Sequence, residues 1–251
     1  MKLNTLASLP FALIASQFAI AGSFTDTFEG PTRLNLNVYV FAADVDGKIA
    51  KGPLHYDVNQ PFKETIKELD NAYMLLGDLS KGKWGIYADK QVVKTKQDIK
   101  DFPVPVALKT KLDQSRYGVY YKAYVSPNSN QNGYPTFVVE PTIGMHHTEA
   151  EAKLSVLNIN ADIDASWDEF FWGSRLIYNF ESPWNLAGEM TFGVEDSINA
   201  HAYLGYRVPL FNRHFNLRAG YRYLEQDYSK QSFRWNIKEH GPVLGINIPI
   251  F

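Results

Sequence analysis

Catalysis needs particular residue types within reach of one another, and three sets in this chain invite the test. His146, His147 and Glu149 could hold a metal or supply a general base. On a strand, though, neighbouring side chains point to opposite faces, so His146 and His147 cannot converge on one ion. Ser174 and His201 would serve as nucleophile and base only on a shared face, and their alternation phases separate them. Asp44-Val45-Asp46-Gly47 has the opening of a calcium loop, but Lys48 and the missing downstream Glu break that pattern, so it reads as a turn. The absence of cysteine removes disulfides, thiol catalysis and Cys-ligated metals. These residues imply no enzyme, cofactor or metal. A net charge of -2 gives no reason to expect nucleic acid.

What remains is a large set of charged residues recurring at alternate positions, and the elements that carry them are strands. The closing stretch shows this best. Phe215, Leu217, Ala219, Tyr221 and Tyr223 share one face, with Asn216, Arg218, Gly220 and Arg222 on the other. After the polar turn Gln226-Asp227-Tyr228-Ser229-Lys230, Phe233, Trp235 and Ile237 alternate with Arg234, Asn236 and Lys238. Beyond His240-Gly241-Pro242 the apolar set moves to even numbers, Leu244, Ile246, Ile248 and Ile250, which predicts a β-bulge there. An apolar face this rich beside a face this charged fits a barrel whose outer side meets lipid and whose inner side is enclosed.

The same alternation predicts about ten strands: 34–42, 73–79, 84–93, 117–125, 137–148, 170–180, 184–194, 200–208 and a closing pair. Turns at Lys81-Gly82, Ser182-Pro183 and Phe211-Asn212 fall at one end. The long segments 44–71, 95–113 and 149–167 fall at the other, the asymmetry of short inner turns and long outer loops. Ser126–Pro135 is a long, Asn-rich inner turn. Trp84, Trp184, Tyr178, Phe180 and Tyr206 suit an interfacial belt. In the first outer connection, Pro61 to Leu69 predicts a short helix with Phe62, Ile66 and Leu69 on one face, packed on the barrel rim. Lys90 sits in the lipid phase of the third strand, where a Lys near mid-bilayer costs roughly 2–4 kcal/mol, so a bulge or an upward reach is expected.

The segments Gly220-Tyr221-Arg222-Tyr223-Leu224 and His240-Gly241-Pro242-Val243-Leu244-Gly245, followed by the terminal Phe251, resemble the closing hairpin of small Gram-negative outer-membrane β-barrels of the OmpA/OmpW-type superfamily. Weaker similarity runs from about Leu34 onward. Ile250 holds the lipid-facing phase and Phe251 stands one step beyond it. The resemblance implies outer-membrane lipid as surroundings and recognition of the C-terminal strand by the barrel-assembly machinery.

Composition agrees with that class. Aromatics make up 14% of 251 residues, while a mean hydropathy of -0.27 excludes a helical membrane protein. Residues 1–21 read as a cleaved signal peptide: Lys2, an apolar segment from Leu6 to Ile20, and Ala19-Ile20-Ala21 before Gly22. Residues 22–251 then form one domain.

By phase the enclosed face carries Asp78, Asp89, Arg116, Lys122, Glu140, His146, Glu169, Arg175, Glu189, Glu195, His201, Arg207, Arg218 and Arg222. Arg175, Glu189, Arg207, Arg218, Arg222 and Glu140 are the expected lumen lining, with Glu189 near Arg218 and Arg207. Buried charges must be paired or hydrated, so they form either a closed polar plug or a narrow pore. The expectation is an all-β, closed antiparallel up-and-down transmembrane barrel in the outer membrane. Its role is structural or narrow-pore transport of a small solute. The rivals are a soluble periplasmic barrel binding an apolar ligand, with Leu217, Tyr221 and Ile246 inward, and an outer-membrane lipid-modifying enzyme.

Overall fold

A computed structural model describes residues 27–99, 106–156, 159–211 and 213–251. The expected signal peptide lies outside the described residues. The strands are β1 (Thr32–Phe41), β2 (Asp44–Lys51), β3 (Leu54–Gln60), β4 (Leu69–Lys81), β5 (Trp84–Ile99), β6 (Val106–Tyr121), β7 (Tyr124–Val125), β8 (Phe137–Val156), β9 (Ile159–Asn179), β10 (Trp184–Gly193), β11 (Ile198–Leu210), β12 (Arg213–Lys230) and β13 (Phe233–Pro249). One helix, α1 (Phe62–Glu68), stands between β3 and β4. Each wall strand pairs antiparallel with the next, in the order β1-β4-β5-β6-β8-β9-β10-β11-β12-β13, and β13 pairs back onto β1. The result is a closed barrel of ten strands, as the alternation predicts.

The sheet closes through residues near the C-terminus. Asn35 to Phe41 pair with Pro249 to Val243, and the ladder runs on as the Leu34 amide donates to Phe251 O at 2.9 Å. β2 then follows the same strand, with Asp44 opposite His240 and Lys51 opposite Phe233. β1 and β2 therefore form one line along β13, interrupted only at Ala42-Ala43. Pro242, which has no N–H to give, lies opposite that gap. Gly82, at φ 57, makes the turn from β4 to β5.

The outer ends differ from the expectation. Segments 44–71, 95–113 and 149–167 are not long loops; their described residues are largely strand, with β5, β6, β8 and β9 reaching 16, 16, 20 and 21 residues. The phase switch at His240-Gly241-Pro242 is not a bulge either. β12 and β13 keep one register from Asn216↔Asn247 to Lys230↔Phe233 without a shift, and odd-numbered residues of β13 face inward throughout. Polarity changes, not geometry. Near the turns the outward face is apolar, as at Leu244. Farther up it is polar, as at Arg234 and Lys238, while Trp235 and Ile237 are buried inside.

The same inversion appears around the wall. On β9 the outward residues Tyr178, Leu176, Trp172 and Phe170 are exposed apolar groups, and above them come Asp168, Ser166, Asp164 and Asp162. Phe170 to Tyr178 is nine residues, close to the 9–11 that a tilted strand needs to cross the hydrocarbon layer. Aromatic pairs mark the turn end, Trp84 with Tyr121 at 4.9 Å and Trp184 with Tyr206 at 4.8 Å between ring centroids. Leu217 and Tyr221 are 49% and 53% exposed while Arg222 is 1% exposed. That is the facing of a bilayer-spanning barrel and the reverse of what a soluble barrel with an apolar ligand inside requires.

Lys90 keeps the outward phase without a bulge, opposite Ser115. Its ammonium reaches the Asp113 carboxylate and, at 2.9 Å, the Ser115 hydroxyl. It stands at the top of the apolar girdle, where that cost fades. Helix α1 starts where Asp44 Oδ1 accepts from the Phe62 amide at 2.7 Å, and it lies against β5. It does not tuck its apolar face onto the rim: Ile66 and Leu69 are both exposed.

Candidate functional site

The barrel interior is the candidate site, and its layers can be followed from the turn end upward. At the turn-end mouth, the loop between β7 and β8 places the Tyr134 ring against the Arg207 guanidinium, 3.9 Å from its centroid. Asn179 fixes that loop by donating to Pro135 O at 2.6 Å and accepts from Arg207. The long inner turn 126–135 is therefore held against the β9 and β11 side of the mouth. Above it Asn185 and Asn216 exchange amide hydrogen bonds at 3.1 and 3.0 Å. Arg218 donates to Asn37 Oδ1 at 3.0 Å, which also accepts from Asn247. Among the described residues neither Arg207 nor Arg218 has a carboxylate within salt-bridge distance.

The middle layers are ionic, and their bonds cross the lumen. Arg175 on β9 meets Asp78 on β4 at 2.9 Å and Glu140 on β8 at 3.4 Å. It lies 4.1 Å from the Tyr120 ring centroid, and the Tyr120 hydroxyl donates to Asp78 at 2.8 Å. Arg116 on β6 donates to Glu189 on β10 at 2.7 Å and to Thr191 at 3.1 Å, its guanidinium over the Phe171 ring. Arg222 on β12 reaches Asp89 on β5 at 3.7 Å, and Tyr39 donates to the same carboxylate at 2.6 Å. Stacking and pairing together repay part of the cost of removing guanidinium groups from water.

Higher still the lining changes to amides, then to carbon. Gln114 donates to Glu239 at 2.7 Å and to Gln226 at 3.2 Å, and Gln226 donates to Thr148 at 3.0 Å. These bonds tie β6, β8, β12 and β13 across the interior. Above them Trp167 stacks on Tyr228 with centroids 4.9 Å apart and meets Trp235 at 5.3 Å. Ile237, Leu112, Val45 and Ile49 pack around that cluster. An apolar lid thus tops a polar plug.

Arg175, Glu189, Arg207, Arg218, Arg222 and Glu140 stand in the inward phase of their strands, and one expected neighbourhood differs. Glu189 does not pair with Arg207 or Arg218; its partner is Arg116. By register Glu189 stands opposite His201 and Arg175, whereas Arg207 stands opposite Asn216, nearer the mouth. Of the wider set, Glu195 lies exposed in the β10–β11 turn, and Lys122 sits at the turn end donating to Gly82 O at 2.9 Å. Ser174 faces outward and His201 inward. His146 is buried and His147 faces out, bonded to Asp168 at 2.8 Å and Glu149 at 3.3 Å. Gln114, Gln226, Glu239, Trp167 and Trp235 were not predicted as lining. Their partners lie up to 125 residues away in the chain, so no local pattern announces them.

The site and fold together define a class: a closed antiparallel barrel with an apolar exterior and an interior filled by its own side chains. No protein-family profile matches the sequence, and no curated protein matches it. Among solved structures, the chain is similar to the attachment invasion locus protein Ail of Yersinia pestis, solved with the heparin analogue sucrose octasulfate. The identity is 12%, over 86% of this chain and 99% of that one, with a TM-score of 0.37. It is also similar to CdiB from Acinetobacter baumannii, at 14% identity over 80% of this chain and 39% of that one, TM-score 0.40. The outer membrane protease OmpT of Escherichia coli matches at 8% identity over 87% and 97%, TM-score 0.30.

Proposed function

We propose that the chain is an integral outer-membrane barrel of structural role, closed to solutes, that holds its tall outer sheet above the membrane. One observation carries this: the Arg116–Glu189 bond spans the lumen between strands separated by two others, at 2.7 Å. Together with the Arg175–Asp78 and Arg222–Asp89 pairs it fills the section that an open conduit needs. The closing hairpin's resemblance to the OmpA/OmpW-type barrels and the apolar girdle support placement in the outer membrane. The girdle's partner is then lipid. The β13 strand, with backbone bonds to β1 running on through Ile250 and Phe251, is the segment offered to the assembly machinery. No catalytic step is assigned, since Ser174 and His201 lie on opposite sides of the wall.

The test is recovery in the outer-membrane fraction with heat-dependent gel mobility, followed by planar-bilayer recording. The expected result is a heat-modifiable protein without stepwise conductance. Stepwise conductance from the wild-type protein defeats the closed reading.

A narrow pore is the second reading, favoured by Arg207 and Arg218, which bring positive charge to the mouth with no carboxylate within salt-bridge distance among the described residues. In that case the current is anion-selective, and Arg207→Gln with Arg218→Gln removes the selectivity.

A further inference from the structure

The outward face of the tall sheet holds a charge arrangement that the lumen does not explain. β5 and β6 carry the same tripeptide, Lys94-Thr95-Lys96 and Lys109-Thr110-Lys111. The register sets them face to face: Lys94↔Lys111, Thr95↔Thr110 and Lys96↔Lys109. The threonine hydroxyls bond each other at 2.7 Å on the inner side, which leaves four ammonium groups on the outer side. β8 adds a fifth, Lys153, directly opposite Lys109. Lys96, Lys109 and Lys153 thus form one row across three adjacent strands, all exposed.

Like charges directly opposed on neighbouring strands destabilise the pair. Of these five, among the described residues, only Lys111 has carboxylates within salt-bridge distance, Glu149 at 3.3 Å and Glu151 at 3.0 Å. Asp162 stands opposite Lys153 at the edge of the row, while Lys94, Lys96 and Lys109 face one another and Lys111. An arrangement that repels itself is relieved by an anion from outside. Position says which anion. The lysines face sideways from the wall, along the membrane plane, on the same face as the lipid-exposed Tyr117 and Met145 below them. Lys94 is four residues above Lys90, the top of the girdle, which with a tilted strand is roughly 10 Å higher. The Lys96 row is roughly 15 Å higher, so the ladder stands just above a headgroup layer roughly 5–8 Å deep and meets it by reaching down with its long side chains.

We propose that this lysine ladder binds the phosphate groups of phosphorylated lipid headgroups in the leaflet around the barrel. The inference rests on the girdle spanning the outer membrane. The ladder is a second lipid contact continuous with the girdle, built by charge where the girdle is built by carbon. Its affinity therefore falls with salt.

The test uses the full-length protein in detergent, titrated with bis-phosphorylated lipid A, with chemically dephosphorylated lipid A, and with soluble heparin. Bound lipid is counted by native mass spectrometry. The wild-type protein is expected to retain the bis-phosphorylated lipid. The triple variant Lys96→Gln, Lys109→Gln, Lys153→Gln is expected to bind it about tenfold or more weakly, since each lysine near an anionic surface contributes substantially. Replacing the same three by Arg keeps binding, and Lys63→Gln with Lys67→Gln on α1 leaves it unchanged. Should the triple variant lose heat-modifiable mobility, Lys109→Gln alone gives a smaller loss in the same direction. Equal retention by the glutamine variants, or of the dephosphorylated lipid, overturns the proposal. So does heparin binding as tight as that of the lipid with the same lysine dependence, which reassigns the face to a soluble polyanion. None of these outcomes alters fractionation or gel mobility, which test the membrane reading separately.

Discussion

Arg116 and Glu189 illustrate what a narrow interior demands of single residues. Both are buried, and each is satisfied chiefly by the other. Removing one strands a charge, so Arg116→Ala or Glu189→Ala is expected to lower stability by about 3–5 kcal/mol. The double replacement Arg116→Met with Glu189→Leu is expected to cost far less, because both charges go together. Urea unfolding in lipid vesicles, followed by Trp fluorescence, measures the difference; equal losses for single and double variants contradict a pairing role. Outside the wall, His147 is the first outward residue of β8 above the girdle. The Asp168 bond, with Glu149 adding to it, raises its pKa above the usual imidazole value against some desolvation. Its stabilising contribution is therefore present below the unfolded pKa of about 6.5 and is lost as pH rises through the higher folded value. An NMR titration of His147 in the wild-type protein and in Asp168→Asn reads this. The asparagine variant should titrate at lower pH.

At the scale of the element, the useful quantity is where a strand changes solvent. Below the girdle's upper edge the period-of-two signal is apolar-out and polar-in, and strands such as 137–148 and 184–194 are legible from it. Above the edge both faces of the wall are polar in places, or the apolar residues turn inward, so the signal fades or inverts. That is why β8 and β9 run past their expected ends and why the even-numbered run from Leu244 to Ile250 imitates a bulge. The facing of Arg222 is legible in its neighbours Tyr221 and Tyr223. Its bond to Asp89 is not, because the partner is far away in the chain, on β5 across a closed wall. The lid belongs to the same scale. Trp167 is 5% exposed and joins β9 to β12 and β13. Trp167→Ala is expected to cost about 3–5 kcal/mol, confined to the tall sheet. Hydrogen exchange should show faster opening of the described upper parts of β8 and β9, with the girdle-level amides of β10 to β12 unchanged. Uniform acceleration around the barrel contradicts that separation.

For the whole molecule the closures stand in series: Tyr134 at the turn-end mouth, the ion pairs in the middle, the amide layer, and the tryptophan lid. Closures in series have a consequence that a single gate does not. Opening any one leaves the others blocking the path, so the single variants Tyr134→Ala, Glu189→Ala and Trp167→Ala are each expected to stay silent in planar bilayers. Conductance should emerge only when every layer is opened together, for example Arg116→Ala with Glu189→Ala and Gln114→Ala with Gln226→Ala in a Trp167→Ala, Trp235→Ala, Tyr134→Ala background that still shows heat-modifiable mobility. The ions that then pass should be chiefly anions, because Arg207 and Arg218 stay near the mouth with no described carboxylate within salt-bridge distance and bias a narrow conduit toward negative charge. A single-layer variant that conducts as freely as the combined one shows one layer to be the gate. That result turns the barrel from a wall with a filled centre into a channel held shut at one level.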